Sequence, residues 1–329
     1  MRMLVTGGAG YIGSHVVKEL TIAGHDVVVY DNLSKGHREA VRGGTFIHGD
    51  LADKGLLRET MRAHGVDVVV HLAADTSVAE SMSNPAVYYQ NNVVNGLTLL
   101  DTMLECGVKR IVFSSSAAVY GEPEKVPITE DASKRPTNVY GETKLVFEGI
   151  LAAYDRAYGL KYISLRYFNA AGADESGEIG EDHNPETQLI PIVLQTALGQ
   201  RPYLEIYGTD YPTRDGTCIR DYIHVSDLAV AHILAAEALM NGVPSNVYNL
   251  GNESGHSVRE VVSVAEKVVG HKIPVREAGR RPGDPAVLVA SSEKIRRDLG
   301  WRPRYANLED IVASAWKWHS RHPRGYEAG

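Results

Sequence analysis

Gly7-Gly-Ala-Gly10-Tyr-Ile-Gly13 follows the apolar run Met3–Val5, and Tyr140-Gly-Glu-Thr-Lys144 lies far downstream. Glycines at this spacing let the chain turn sharply and bring backbone N–H groups against a pyrophosphate at a helix N-terminus. Tyrosine and lysine four apart share one helix face, so the ammonium is expected to lower the phenol's pKa from about 10 toward the working pH. Ser114-Ser115-Ser116 closes a further apolar run. Its last hydroxyl completes a Ser116/Tyr140/Lys144 set, in which serine orients a substrate hydroxyl and tyrosine moves the proton. The chemistry implied is hydride exchange between a dinucleotide and an alcohol.

Asp31 closes Val27–Asp31, where a carboxylate accepts hydrogen bonds from adenosine ribose hydroxyls and repels a 2′-phosphate. That favours NAD, while Lys35 and Arg38 nearby leave NADP open. Asp50, after the next run, is placed to meet the adenine or to make an ordinary turn. No His/Cys cluster has metal-ligand spacing, so the thirteen histidines are read one by one and no metal is expected. His71, inside a strand, reads as structural. A Ser–His–Asp hydrolase is disfavoured by the lack of a Gly-x-Ser-x-Gly elbow.

These residues need a scaffold that gathers them. Apolar runs at Met3–Val5, Asp26–Tyr30, Thr45–His48, Asp67–Leu72, Arg110–Ser114 and Lys161–Arg166 alternate with helical-period segments such as Gly13–Ala23, Ala86–Cys106 and Asn138–Tyr158. Val- and Ile-rich strands without clean alternation are buried on both faces, as in a parallel sheet with helical crossovers. The fold class is therefore α/β, a doubly wound parallel (Rossmann) sheet with ligands at the carboxyl ends of its strands. A smaller mixed α/β domain is expected to follow, with residues 1–170 as the cofactor-binding domain and 171–329 as the substrate-binding domain. Helices are expected at Leu189–Leu198, Val258–Val269 and Leu308–His319. The segment 221–250, with its helix Ser226–Leu239 and strand Asn246–Leu250, is expected to return to the first sheet.

With 329 residues, 43% hydrophobic and 23% charged, the chain has enough apolar surface for a large core. A net charge of −7 argues against general nucleic-acid binding. Only Cys106 and Cys218 occur, so no disulfide framework is implied. No signal peptide or membrane span is expected, and the chain reads as cytoplasmic.

The glycine motif, the serine triplet with Ala117-Ala118-Val119-Tyr120-Gly121, and Tyr140…Lys144 resemble the extended short-chain dehydrogenase/reductase superfamily. More specific are Arg166-Tyr-Phe-Asn169, Gly180-Glu-Asp, Tyr211-Pro-Thr-Arg-Asp-Gly-Thr, Arg220-Asp-Tyr-Ile-His-Val225, Tyr248-Asn-Leu-Gly251 and the tail Ser320–Tyr326. That series is similar to the UDP-glucose 4-epimerases across essentially the whole chain. The resemblance implies that NAD is held by Gly7, Gly10, Tyr11, Ile12, Gly13, Asp31, Asn32, Asp50, Leu51, Leu72, Ala73, Ala74, Asn91, Tyr140, Lys144 and Tyr167. It implies a UDP-sugar partner on Ser116, Asn169, Gln188, Leu189, Tyr207, Arg220, Arg281, Asp284 and Leu288. Two guanidiniums, Arg220 and Arg281, would neutralise the diphosphate. It also implies a homodimer joined through the Ala86–Cys106 and Asn138–Tyr158 segments.

Several positions depart from that pattern. Thr76 stands where some members carry a lysine near the cofactor, Ala118 where others have a threonine, Gln188 where asparagine or histidine is frequent, and Val139 where proline is common. Leu288 stands at a position bordering the sugar, where a tyrosine goes with rejection of N-acetylated sugars and a small residue with their acceptance. Inversion at C4 of a UDP-hexose is the expected reaction, with UDP-glucuronate as another candidate sugar. A 4,6-dehydratase would need an acidic pair at Ala117 and Ala118. A net reductase would need freely exchanging NAD(P)H, and a non-catalytic NAD sensor would have no need of Tyr140 and Lys144.

Overall fold

Alternate residues of the first strands are buried against two different cores, which is why their sequences do not alternate. In the computed structural model, which describes residues 1–281 and 283–326, β1 (Arg2–Thr6) sends Met3 and Val5 to one core and Leu4 to the other. Residues 327–329, the end of the expected second region, lie outside the described residues. Strands β2 (Asp26–Asp31), β3 (Thr45–His48), β4 (Val68–His71), β5 (Arg110–Ser116) and β6 (Lys161–Tyr167) complete the six expected runs. Helices α1 (Tyr11–Ile22), α2 (Lys54–His64), α3 (Val78–Ser83), α4 (Pro85–Tyr89), α5 (Asn95–Glu105) and α6 (Val139–Tyr158) lie between them. On one face Leu57 and Met61 of α2, Leu99 and Met103 of α5 and Phe147 of α6 meet the sheet.

The expected single helical segment Ala86–Cys106 is interrupted: a π turn at Gln90–Val94 separates α4 from α5. Its inward residues are asparagines whose side chains bond outside the helix, and such insertions are a common cause of π-bulges.

The chain enters a second region, built on two smaller sheets, directly after β6. Strands β7 (Asn169–Ala171), β8 (Leu204–Tyr207) and β9 (Ile219–His224) come first, with α7 (Leu189–Ala197) between β7 and β8. Then α8 (Val225–Met240) and β10 (Asn246–Leu250) return, α8 packing on α1 and β10 pairing in parallel with β6. The remainder is β11 (Gly255–Ser257), α9 (Val258–Val269), β12 (Val275–Ala278), β13 (Val287–Leu288), α10 (Glu293–Leu299) and α11 (Leu308–Arg321). The large sheet is wholly parallel, in the order β3-β2-β1-β4-β5-β6-β10. Strand β9 pairs with β7, β11 and β13, and β8 pairs with β12. Helices α7, α9 and α11 bury Val193, Val261 and Ile311 in this second core.

The stretch around α10, which the sequence pattern leaves with the second region, packs into the first core through Ile295 and Trp301. Trp301 donates its indole N–H to the Asp227 carbonyl at 2.9 Å, and the Asp227 carboxylate accepts from Arg304 N and Tyr305 N. Since a buried tryptophan cut to alanine leaves a large cavity, Trp301→Ala should destabilise the protein by about 3–5 kcal/mol. Urea unfolding followed by circular dichroism checks this.

Candidate active site

Reversal of strand order between β1 and β4 opens a crevice at their carboxyl ends. Gly7 leaves β1 with φ +73°, and a Cβ there would lie 2.5 Å from Ala73 N, just beyond β4. A Cβ on Gly13 would lie 2.0 Å from Gly7 O, so both positions require glycine for close approach. Asp31 ends β2 and ties this loop down: its carboxylate accepts from Ala9 N at 2.9 Å and Leu33 N at 2.8 Å.

The resulting cleft is lined by Gly7, Gly10, Asp31, Asn32, Asp50, Leu51, Leu72, Ala73, Ala74 and Asn91 among the expected cofactor residues. Lys35, read in the sequence as leaving NADP open, also lines it, as do Tyr30, Ser34, Gly36, Gly49 and Asp75, which went unread as cofactor contacts. Their signal was position, since each sits at a strand's carboxyl end or in the loop after it. Arg38 lies over the Phe46 ring. Six expected cofactor residues sit outside this lining: Gly13 packs on the loop, Ile12 packs against the first core, Tyr11 donates to Gly172 O at 2.6 Å, and Tyr140, Lys144 and Tyr167 lie on α6 and at the end of β6. Tyr326 stacks on His37 and its hydroxyl bonds the backbone of Gly180, which pins the segment after Gly36.

Farther along the sheet edge, β5 delivers Ser116 and α6 delivers Tyr140 and Lys144. Asn138 caps α6, accepting from Gly141 N at 2.8 Å, so Tyr140 stands in the first turn. The Ser116 hydroxyl is within hydrogen-bonding reach of Tyr140 and also accepts from Ala118 N. Lys144 lies on the same helix face, its Nζ 5.7 Å from the Tyr140 ring centroid. Tyr167, from the end of β6, bonds the Ser114 hydroxyl. His71 is buried, bonded to the Thr6 hydroxyl, and pushed down to about 3 by burial, in keeping with a structural role.

One expectation about this set is corrected. The Tyr140 ring keeps some exposure, but its hydroxyl is desolvated, and burial raises the phenol's pKa while the Ser116 bond opposes the rise. Lys144 is itself buried and pushed down to about 7 by desolvation, with Glu148 acting the other way. Its Nζ donates to Ser114 O at 2.9 Å instead of to the phenol. In this state the lysine does not lower the tyrosine's pKa, because its own charge is poorly supported.

The expected substrate residues other than Ser116 are spread over the elements of the second region. Asn169 opens β7, Gln188 and Leu189 open α7, Tyr207 ends β8, and Leu288 lies beside Arg220 in the β13–β9 register. Arg281 lies over the Tyr207 ring at 3.9 Å, and Tyr207 donates to the Glu205 carboxylate. Arg220 is paired with Asp284, so its charge is already matched. Leu288 packs with Ala117, Val119, Tyr120 and Ile128, beside the loop after Ser116.

The histidines are not all solitary. His183 Nδ1 is 3.1 Å from Glu181 and 3.8 Å from Glu186, with donor atoms of the three residues within 4.8 Å of one another. The two carboxylates hold the imidazole protonated, its pKa raised to about 10, and burial pushes Glu181 up to about 7. The nearby Gly180-Glu-Asp motif was the only sequence signal. Among the described residues no helix is long and apolar enough to cross a membrane.

Residues 3–251 match the NAD dependent epimerase/dehydratase family. The chain is 56% identical over 326 residues to the UDP-glucose 4-epimerase of Halalkalibacterium halodurans, covering 99% of this chain and 98% of that protein. A crystal structure of UDP-glucose 4-epimerase superposes with a TM-score of 0.97 at 52% identity over 100% of both chains. The Brucella ovis UDP-glucose 4-epimerase in complex with NAD superposes with a TM-score of 0.94 at 48% identity, over 96% of this chain and 97% of that one. The chain belongs to the NAD dependent epimerase/dehydratase family, and NAD is its cofactor.

Proposed function

We propose that this chain interconverts UDP-glucose and UDP-galactose by inverting C4 of the sugar through a 4-keto intermediate. The observation that carries this reading is Ser116, Tyr140 and Lys144 gathered at the carboxyl edge of the sheet. NAD, when bound, accepts and returns the C4 hydride. Tyr140 takes the C4 hydroxyl proton and gives it back, and Ser116 orients that hydroxyl. Desolvation makes Tyr140 a reluctant acid, so positive charge near its ring is what would bring the phenolate into range. Neutral Ala117 and Ala118 offer no acid for water elimination, which argues against a dehydratase.

In this reading residues 1–170 with 221–250 hold NAD and 171–329 hold the UDP-sugar. Gly7, Gly10, Tyr11, Ile12, Gly13, Asp31, Asn32, Asp50, Leu51, Leu72, Ala73, Ala74, Asn91, Lys144 and Tyr167 serve the cofactor. Asn169, Gln188, Leu189, Tyr207, Arg220, Arg281 and Asp284 serve the nucleotide, leaving the sugar loosely held and free to turn between its two faces. The protein works in the cytoplasm as a homodimer. Exposed Val87, Tyr89 and Val94 on the α4–α5 segment and Val146 on α6 support that pairing, since they form apolar surface on the two helices expected to meet.

Purified protein without added cofactor should convert UDP-galactose to UDP-glucose. Tyr140→Phe should lower turnover by about 10²–10⁴-fold while UDP-sugar binding, measured by calorimetry, survives. Asp31→Ala should reduce the NAD content of the purified protein and relax its discrimination against NADP, because both the ribose acceptor and the clamp on the glycine loop are lost. Nucleotide extraction and chromatography read this directly.

Leucine is smaller than tyrosine, and close packing makes even a methylene felt. Leu288 therefore leaves room for a 2-acetamido group, and UDP-N-acetylglucosamine/galactosamine is a secondary substrate. Wild type should turn over the N-acetylated sugar at high enzyme concentration, and Leu288→Tyr should suppress that activity while sparing UDP-galactose. Absence of the activity in wild type would remove Leu288 as the gate.

A further inference from the structure

The π turn at Gln90–Val94 places two adjacent asparagines on different tasks. Asn91 faces the cofactor cleft and donates to the Asp75 carboxylate at 2.9 Å. Asn92 turns inward, is 4% exposed, and its side chain bonds outside its own helix. Its Oδ1 accepts from Asp75 N at 2.9 Å, while its Nδ2 donates to Asp75 O at 3.0 Å and to Thr143 Oγ1 at 3.2 Å. Thr143, wholly buried, passes the chain on by donating to Tyr140 O at 2.7 Å.

Every polar direction in this chain is fixed. Asp75 N must find an acceptor and Asp75 O a donor, so the Asn92 amide has one orientation. Its second N–H then needs an acceptor, which makes the Thr143 hydroxyl accept from Asn92 and donate to Tyr140 O. Asp75 lines the cofactor cleft beside Ala73 and Ala74, whereas Tyr140 carries the acid/base chemistry. Four short bonds thus join the floor of the cleft to the first turn of α6, through a helix segment whose regular ladder is broken there.

We infer that the Asn92 amide and the Thr143 hydroxyl are positioning groups that set the separation between the cofactor cleft and Tyr140. The inference rests on the epimerase reading for its kinetic consequence and on geometry alone for the linkage. A misplacement of about 1 Å far from the reacting atoms can lower a rate about 10²-fold, so a loosened linkage slows chemistry without weakening substrate capture.

Thr143→Val keeps the shape and removes the hydroxyl, while Thr143→Ser keeps the hydroxyl. Both are assayed as NAD-loaded protein for kcat and KM with UDP-galactose, for NAD content, and for backbone amide exchange. Thr143→Val should lose about 10–100-fold in kcat per bound NAD with KM nearly unchanged, and Thr143→Ser should stay close to wild type. Exchange at the Asp75 amide should speed up in the valine variant and not in the serine variant. Asn92→Asp, which keeps only the acceptor, should reproduce the kcat loss if the valine protein fails to fold. Equal impairment of the valine and serine variants, or a loss of activity accounted for by lost NAD, would overturn the inference. If wild type does not act on UDP-galactose, the epimerase reading falls. Asp75 exchange then decides the linkage: faster in valine upholds it, unchanged overturns it.

Discussion

The whole site depends on a contact that only a missing side chain allows. Gly7 crosses against Ala73 where β1 and β4 diverge, and Gly13 presses the start of α1 onto the Gly7 carbonyl. Any Cβ at these places would push apart the two strand ends that form the crevice. Once they are together, backbone N–H groups, the helix N-terminus and the Asp31 carboxylate all face one cleft. The anion-binding power of the cleft then follows from peptide geometry, without a cationic side chain. Loops 32–36 and 49–51 reach the cleft too, since they leave β2, which is paired with β1, and β3, which is paired with β2.

At the other end of that edge, burial governs the chemistry. Lys144 is 3% exposed and Tyr140 lies with its hydroxyl among Ser116 and neighbouring rings, so water supports neither charged form. Little water screens these two desolvated groups, so a charge brought beside them acts strongly on both. Beneath them, Glu148 and Arg166 form a buried ion pair that also engages Ser115 and Tyr120. That pair joins α6 to β5 and β6, the elements that carry the chemistry, and its carboxylate is the acidic influence that helps Lys144 keep its proton. Rigidity and charge balance come from the same residues.

The second region supplies a different kind of surface. Arg220 on β9 is already paired with Asp284, and Tyr207 at the end of β8 with Glu205. An arginine already paired with a carboxylate is held in place with little ordering left to do. Leu288 shares one apolar cluster with Ala117, Val119 and Tyr120, the stretch that follows Ser116.

Much of this was legible in the residues. Both-face burial of Val- and Ile-rich runs marked the parallel sheet, and glycine spacing, Asp31 and the Tyr140/Lys144 pair marked its ligand edge, because backbone permissiveness and helical period are local properties. The return of α8 and β10 could be read for the same reason. What the sequence could not carry was anything set by distant partners. The packing of Trp301 into the first core depends on a contact with Asp227 far away in the chain. The direction of the Tyr140 shift depends on how much water survives around a phenol, and the charge of His183 on two carboxylates folded against it. The π turn depends on Asn92 finding Asp75 and Thr143 from three separate elements. Residue type and spacing determine which local conformations and chemistries are available; desolvation and hydrogen-bond partnership are decided only when the tertiary structure closes.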